Sequence, residues 1–287
     1  MADRELELSP PGGTEKGVLR LCARAAHATD VGRRRRNNQD NHMVLPLLAS
    51  GVAQDGESAF VDLENGRLLV AVADGMGGHF GGEIASRMCV EILAREIVDQ
   101  LHASGNSQPD LPAALQRAIE ATHKAIFDHA QNYAEHLTMG TTLTVALLHG
   151  ARAELAQVGD SRAYLFRHGN LSLLTQDQTI GNRLRRRGDN SIKVDAHIEE
   201  MLVQALGAQA EIEVVMTTVD LEPHDLLLLC SDGLYKVVST AGIVETLELE
   251  MGLHENAADL VRSANEGGGP DNVTVILTEI RRAESAG

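Results

Sequence analysis

The sequence has no tryptophan, and its other aromatic rings are three tyrosines, four phenylalanines and twelve histidines. Proteins that bind single-stranded nucleic acid need aromatic platforms on which bases stack. The 41 acidic residues exceed the 25 basic ones, for a net charge of −16. Protein surfaces that bind nucleic acid are positively charged, because they must neutralise the phosphates. We therefore expect no nucleic-acid partner.

Cysteines are few, and long apolar runs are lacking. The spacing of Cys22, Cys89 and Cys230 fits neither a zinc site nor a disulfide framework, so we expect reduced, mostly buried thiols. No apolar run approaches the roughly 18 residues of a membrane helix. The first residues lack the basic and apolar regions of a signal peptide. We expect a cytoplasmic protein with no membrane contact.

The apolar pattern predicts strands in runs and helices in pairs. Residues 1–18 read as a flexible tail, and the polar stretch 176–201 as a mobile surface segment. Strands joined by hairpins, with helices between the runs, favour antiparallel sheets covered by helices. The predicted strands are 20–28, 68–73, 142–148, 153–158, 163–166, 171–174, 226–230 and 273–280, and the predicted helices are 83–102, a second one capped by Asp110, and 255–265.

Four aspartates lie where predicted strands begin or end: Asp40, Asp74, Asp232 and Asp271. Three of them have a neighbouring glycine or proline, in Asp74-Gly75, Asp232-Gly233 and Pro270-Asp271, and each aspartate alone is weak evidence because such pairs are common in turns. Together they predict carboxylates on one rim of a β core. Such a cluster repels itself unless a cation binds. Ligands that are all oxygen favour Mg²⁺ or Mn²⁺ over zinc.

Five short motifs follow one another along most of the chain. They are Asp74-Gly75-Met76-Gly77-Gly78-His79, Met139-Gly140-Thr141-Thr142, Val158-Gly159-Asp160-Ser161-Arg162-Ala163-Tyr164, Ser231-Asp232-Gly233-Leu234 and Gly268-Gly269-Pro270-Asp271-Asn272-Val273-Thr274. Between Arg20 and Ile280 the sequence thereby resembles the PPM family of metal-dependent serine/threonine protein phosphatases (type 2C), in its bacterial form.

The resemblance implies an α+β fold, a four-layer α/β/β/α sandwich of two central antiparallel sheets flanked by antiparallel helices. It also implies a single phosphatase domain over residues 19–282, because Asp40 and Asp271 would belong to one site. The implied activity is hydrolysis of phosphoserine and phosphothreonine by a hydroxide that bridges two metal ions. A Ser/Thr kinase and its phosphorylated targets are the implied partners, and we expect a monomer.

The resemblance also assigns metal ligands. Asp74 would bridge two Mn²⁺ or Mg²⁺ ions, and the carbonyl of Gly75 would help to hold one of them. Asp232 and Asp271 would complete the shell of the first metal. Gln39 stands where the family usually has glutamate, so we expect weaker binding of the second metal.

Three further residues receive catalytic roles from the resemblance. Asp40 would hold a metal-bound water through a hydrogen bond. Asn272 would position Asp271 or a water. Arg35 stands at the place of the family's phosphate-binding arginine.

Two positions depart from relatives within the family. Met76 occupies the position of a histidine that acts as a proton donor in animal members, which leaves His79 as the histidine candidate, for a site role or for packing. A third metal site is expected to be absent or poor, because Leu137 and Thr138 precede Met139 and the nearest acid is Glu135.

Some alternatives stay open on the sequence alone. The fold could serve a catalytically weak phosphoprotein sensor, or a hydrolase of small phosphate esters. Two groups of arginines are either solvated charges or a means of steering an acidic, phosphorylated substrate: Arg33, Arg34 and Arg36, which flank Arg35, and the arginines from 183 to 187. No Ser–His–Asp or Cys–His spacing supports a nucleophilic role for Ser161, Ser231 or Cys230.

Overall fold

A computed structural model describes residues 20–48, 51–52, 59–77, 81–103, 109–133, 138–188, 195–249 and 251–283. The tail predicted over residues 1–18 lies outside these ranges. Within them the strands are β1 (Leu21–Asp30), β2 (Asp40–Leu48), β3 (Gly51–Val52), β4 (Val61–Asp62), β5 (Arg67–Met76), β6 (Gly140–Thr141), β7 (Leu143–His149), β8 (Arg152–Val158), β9 (Arg162–Arg167), β10 (Asn170–Leu173), β11 (Val215–Asp220), β12 (Leu226–Cys230) and β13 (Val273–Arg282). The helices are α1 (Gly81–Ala103), α2 (Leu111–Asn132), α3 (Ile180–Arg186), α4 (Ala196–Glu199), α5 (Asp232–Tyr235), α6 (Thr240–Leu247) and α7 (Leu253–Glu266).

The strands form two sheets in which every neighbouring pair is antiparallel. The six-stranded sheet has the order β10-β9-β12-β13-β1-β4, and the seven-stranded sheet the order β11-β8-β7-β5-β2-β3, with β6 paired to β5. Tight turns such as Gly150, between β7 and β8, join several neighbours, as the sequence predicts.

The layers follow from the two-residue period of the strands. In β5, Leu68, Val70 and Val72 face the other sheet, whereas the alternate residues face α1 and α2. On the outer face of the six-stranded sheet, β12 and β13 pack against α5, α6 and α7. The order helix, sheet, sheet, helix confirms the predicted sandwich.

Helix α2 shows how local sequence sets an element. Asp110 accepts a hydrogen bond from the Ala113 amide at 3.2 Å, and Pro112 stands in the first turn, where no amide hydrogen is needed. The side chains of Leu115, Ile119 and Ile126 recur at helical spacing and are buried against the sheet.

The segment 176–201, predicted as a mobile surface stretch, is described at residues 176–188 and 195–201, where most side chains are exposed or half-buried, and residues 189–194 lie outside the described ranges. Two short helices lie within it, α3 and α4, and they pack against each other. Thr179 caps α3 by accepting a hydrogen bond from the Asn182 amide at 3.3 Å. The polar composition reflects exposure of short helices, which have room for few buried side chains.

The topology brings the predicted aspartates to one end of the sandwich. Asp40 is the first residue of β2 and pairs directly with Asp74 near the end of β5. Asp232 follows β12, and Asp271 precedes β13, its antiparallel neighbour. In an antiparallel pair, the end of one strand lies beside the start of its neighbour. Asp40 and Asp271, about 230 residues apart in the chain, therefore lie at the same end of the sandwich.

Candidate active site

A pocket of about 290 Å³ opens at this end of the two sheets. Seven of the eight predicted site residues line it, and the eighth, Asp40, is buried beside Asp74 and is not among the lining residues. The lining residues are Arg35, Gln39, Asp74, Gly75, Met76, Gly77, Thr142, Asp160, Glu200, Leu202, Asp232, Lys236, Asp271 and Asn272.

Asp40 is buried, and one of its two oxygens is anchored. Ser231 donates from Oγ to Asp40 Oδ2 at 2.7 Å and accepts from the Thr274 amide at 2.9 Å. Oδ1 is equally buried and has no hydrogen-bond partner among the described residues. Burial, more than any neighbouring charge, raises the pKa of Asp40 to about 7. Ser231 therefore positions a carboxyl whose second oxygen is unused.

Asp74 is held through its backbone. Its amide donates to Thr142 Oγ1 at 3.0 Å, and its carbonyl accepts from the Thr142 amide at 2.8 Å and from Thr141 Oγ1 at 3.0 Å. Burial, followed by the charges of Asp40 and Asp232, raises the pKa of Asp74 well above its ordinary value. The position is electrostatically costly for an anion, and a bound cation would relieve the cost.

Gly75 lies where two backbone segments approach closely. A Cβ atom on Gly75 would stand 2.1 Å from the Gly82 carbonyl oxygen and 2.7 Å from that of Gln39. The Gly75 amide donates to the Gln39 carbonyl at 3.1 Å, and Ser86 Oγ donates to the same oxygen at 2.6 Å. Only glycine fits here, and the contact fixes the Gln39 loop against β5 and α1.

Two cationic side chains pair with the remaining aspartates. Arg35 Nη2 lies 2.5 Å from Asp271 Oδ2, and Lys236 Nζ lies 2.7 Å from Asp232 Oδ2. The hydrogen bond to Asp271 is the main cause of the raised pKa of Arg35. Lys236 also reaches Glu200 at 3.5 Å. Sequence reasoning missed Lys236, because its contact with Asp232 requires the helical turn of α5.

The Asn272 side chain is fully occupied by the loop between β1 and β2. Its Oδ1 accepts from the Gln39 amide at 2.8 Å, and its Nδ2 donates to the carbonyls of Val31 and Asn37, both at 2.9 Å. Asn272 contacts Asp271 through its backbone amide instead, at 2.8 Å. Its side chain thus positions the loop that carries Gln39.

Asp160 is an additional acid that received no role from the sequence. It is buried beyond β8, and burial, followed by the charge of Asp232, raises its pKa to about 7. Tyr235 Oη donates to its backbone carbonyl at 3.1 Å. The available signal was its place beside a glycine just after a predicted strand, a context like that of Asp74 and Asp232.

The residues considered as nucleophiles are structural. Ser161 is buried and shares a 2.7 Å hydrogen bond with Thr142 Oγ1. Cys230 faces the helices, and burial raises the pKa of its thiol, which disfavours the reactive thiolate. Met76 stands exposed at the pocket rim. His79 and Glu135 lie outside the described residues.

The donor chemistry of the pocket fits a hard divalent cation. Its donors are oxygens, and the buried Oδ1 atoms of Asp40 and Asp232 have no hydrogen-bond partner in the described ranges. Among the described residues, no three acidic, histidine or cysteine side chains already stand as a compact ligand set. Asp271 and Asp232 are instead turned towards Arg35 and Lys236.

Comparison with known proteins agrees with this architecture. A family profile for protein phosphatase 2C matches residues 48–273. The serine/threonine phosphatase Stp of Listeria innocua is 35% identical over 261 residues, which cover 89% of this chain and 95% of that protein. The crystal structure of the Mycobacterium tuberculosis serine/threonine phosphatase PstP/Ppp superposes with a TM-score of 0.73 at 33% identity, covering 91% of this chain and 100% of that one.

A second solved structure bears on the metals. The catalytic domain of the serine/threonine protein phosphatase PstP in complex with two manganese ions gives a TM-score of 0.72 at 34% identity, covering 91% of this chain and 99% of that chain. The membership inferred from the five motifs is confirmed. The chain belongs to the protein phosphatase 2C family, the metal-dependent serine/threonine phosphatases of the PPM type, and is a hydrolytic enzyme.

Proposed function

We propose that the chain hydrolyses phosphoserine and phosphothreonine in proteins with two Mn²⁺ or Mg²⁺ ions bound in this pocket. Asp74, the Gly75 carbonyl, Asp232 and Asp271 are the proposed ligands, with Gln39 beside the second ion. The observation that carries the proposal is the convergence of buried carboxyls with raised pKa values and unpartnered oxygens on one pocket. A cation would resolve both features.

When bound, such ions would lower the pKa of a water towards neutrality and would offset charge on the phosphoryl group. Arg35 binds phosphoryl oxygens, because its guanidinium can exchange Asp271 for the phosphate in a charge-assisted hydrogen bond. Asp40 Oδ1, which has no hydrogen-bond partner among the described residues, would accept a hydrogen bond from the attacking water. Attack at phosphorus breaks the bond to the serine or threonine oxygen and releases inorganic phosphate.

The leaving oxygen receives its proton from water in this proposal. Met76 has no proton to give, and no histidine lines the pocket in the ranges that the structure describes. Lys236 is engaged by Asp232 and Glu200, and its pKa is raised above its ordinary value, chiefly by Asp232, against the effect of burial.

The substrates are phosphorylated proteins, and the enzyme opposes a Ser/Thr kinase. Relatives named serine/threonine phosphatase support this assignment. In the described residues no helix is long and apolar enough to cross a membrane. We further propose a monomeric, single-domain enzyme over residues 19–282 that acts in the cytoplasm.

Two substrates and two metal conditions test the proposal. A phosphothreonine peptide and p-nitrophenyl phosphate are each incubated with the protein in Mn²⁺ and in EDTA. We expect turnover of both in Mn²⁺, none in EDTA, and recovery when Mn²⁺ is returned. Binding of the peptide without turnover would favour a sensor, and turnover of the small ester alone would favour a small-molecule hydrolase.

A further inference from the structure

A second and larger depression, of about 600 Å³, lies beside the catalytic pocket. We call it the arginine groove. Helix α3 contributes Arg183 and Arg186 to its lining, and Arg187 follows directly at the helix C-cap. Gln204 and Glu213 also line it.

The arginine groove carries an excess of positive charge. Arg183, Arg186 and Arg187 are exposed, and none forms an ion pair with any residue that the structure describes. Of the two acids in the lining, Asp177 is held by Arg162 through hydrogen bonds of 2.9 and 2.6 Å, which leaves Glu213 as the other carboxylate. A concentration of free guanidinium groups is unexpected on a protein of net charge −16 and favours an anionic occupant.

Arg185 belongs to the same helix but not to the groove. Its Nη1 lies 3.2 Å from Glu199 Oε2 on α4, and it is absent from the groove lining. In the sequence, the arginines from 183 to 187 form one cluster. The structure separates them, because residues on a helix point in directions about 100° apart.

The arginine groove continues directly from the catalytic pocket. Glu200 and Leu202 line the pocket, and the next residues, Val203 and Gln204, line the groove. Leu202 forms an antiparallel bridge with Thr179, so this shared wall is fixed to the start of α3. An extended peptide advances about 3.3 Å per residue, so a substrate whose phosphoresidue enters the pocket reaches the groove within a few residues.

We propose that the arginine groove binds an acidic segment of the protein substrate, a few residues from the phosphorylated serine or threonine. The proposal rests on the proposed function. Guanidinium groups form charge-assisted hydrogen bonds with carboxylates, and the positive patch attracts an acidic chain to an otherwise negative surface. The enzyme thereby prefers phosphosites with acidic flanks.

The test uses a matched pair of variants on one helix. Arg186→Glu reverses a groove charge, and Arg185→Glu reverses a neighbouring charge outside the groove. The triple variant Arg183→Glu/Arg186→Glu/Arg187→Glu removes the whole patch. Each is assayed in Mn²⁺ with a phosphothreonine peptide that carries a run of glutamates on one side, with the same peptide carrying glutamines, and with p-nitrophenyl phosphate.

We expect the wild-type enzyme to prefer the glutamate peptide, and the triple variant to lose about tenfold in kcat/KM for that peptide through KM. The glutamine peptide, p-nitrophenyl phosphate and the Arg185→Glu control should change by less than about twofold. Equal loss on both peptides, or no wild-type preference, would overturn the proposal. Mn²⁺-dependent turnover of p-nitrophenyl phosphate separates this failure from a failure of the proposed function.

The chain's own N-terminus is the competing occupant, because it carries Asp3, Glu5 and Glu7. A truncation lacking residues 1–18 decides between the two. If the groove serves substrate, truncation leaves the preference for the glutamate peptide unchanged. If truncation raises kcat/KM for both peptides, and the triple variant shows the same rise with its tail intact, the tail occupies the groove and the substrate proposal is wrong.

Discussion

Lys236 reaches back along α5 to Asp232, with 2.7 Å between Nζ and Oδ2. Burial raises the pKa of the nearby Asp160 carboxyl, and the charge of Lys236 opposes that rise. The ammonium group is thus a cation supplied by the chain itself, on the side of the pocket formed by Asp160 and Asp232. Arg35 has the corresponding position at Asp271.

Replacing Lys236 should lower the thermal stability of the metal-free protein and increase the stabilisation that added Mn²⁺ provides. Lys236→Met keeps the approximate length of the side chain but leaves the carboxylates of Asp232 and Glu200 without the positive charge that pairs with them. We expect the melting temperature in EDTA to fall by a few degrees, and the rise on adding Mn²⁺ to exceed that of wild type. Differential scanning fluorimetry measures both. Lys124→Met is the control, because Lys124 pairs with Asp128 on an exposed face of α2; an Mn²⁺ shift equal to wild type in Lys236→Met would contradict the expectation.

Restoring an acid at position 39 should strengthen metal binding. Gln39 lines the pocket but brings no charge to the proposed second ion. Gln39→Glu should therefore lower the Mn²⁺ concentration needed for half-maximal turnover of p-nitrophenyl phosphate, because an anionic oxygen attracts a divalent cation more strongly than an amide does.

Asn37→Asp provides the control for an added charge. Asn37 is exposed, and the residue does not line the pocket. It should leave the Mn²⁺ requirement close to that of wild type. An unchanged or higher requirement in Gln39→Glu would show that the residue at position 39 does not act on the metal.

A pair of histidines between the two sheets makes stability depend on pH. The rings of His27 and His42 lie 3.8 Å apart, and burial, followed by His27, lowers the pKa of His42 to about 4. The unfolded chain binds a proton at an ordinary histidine pKa of about 6.5, which native His42 does not. The contribution of neutral His42 to the free energy of unfolding is therefore complete above a pH of about 6.5 and is lost as the pH falls towards 4.

Urea unfolding in EDTA at pH 7 and pH 5 measures this contribution. Wild type should lose about 2 kcal/mol more of its unfolding free energy over this interval than His42→Gln does. The exposed His254 on α7 gives a control, since His254→Gln should behave as wild type. If His42→Gln lost as much stability as wild type, the buried histidine would not be the cause.

Elements with a strong period were predictable, and elements defined by their surroundings were not. The continuous apolar run of β5 predicts a buried strand, and the helical spacing of apolar residues in α1 and α2 predicts two helices. The strand β11 has no such pattern, because it lies at a sheet edge, where β8 is its one partner among the described strands, and its side chains stay partly exposed. Helix α6 has eight residues, among them a glycine and β-branched side chains, and it is stabilised by burial of Ile243 and Leu247.

Some site residues were likewise predictable from local motifs, whereas others depend on contacts between distant elements. Motifs placed Asp74, Asp232 and Asp271, and strand pairing explains why they meet. The contacts of Asp160 and Lys236 depend on how one turn of α5 sits against the end of β8, which no local pattern expresses. The separation of Arg185 from Arg186 likewise needed the position of α4.

The proposed function requires that aspartates from distant parts of the chain bind divalent ions on which catalysis depends. The substitution Asp74→Asn removes a carboxylate charge from this cluster while preserving the shape of the side chain. With a phosphothreonine peptide at saturating Mn²⁺, we predict at least an approximately 100-fold loss of kcat and weaker Mn²⁺ binding by calorimetry, in a protein that remains folded. Dephosphorylation at the wild-type rate by Asp74→Asn would contradict the account.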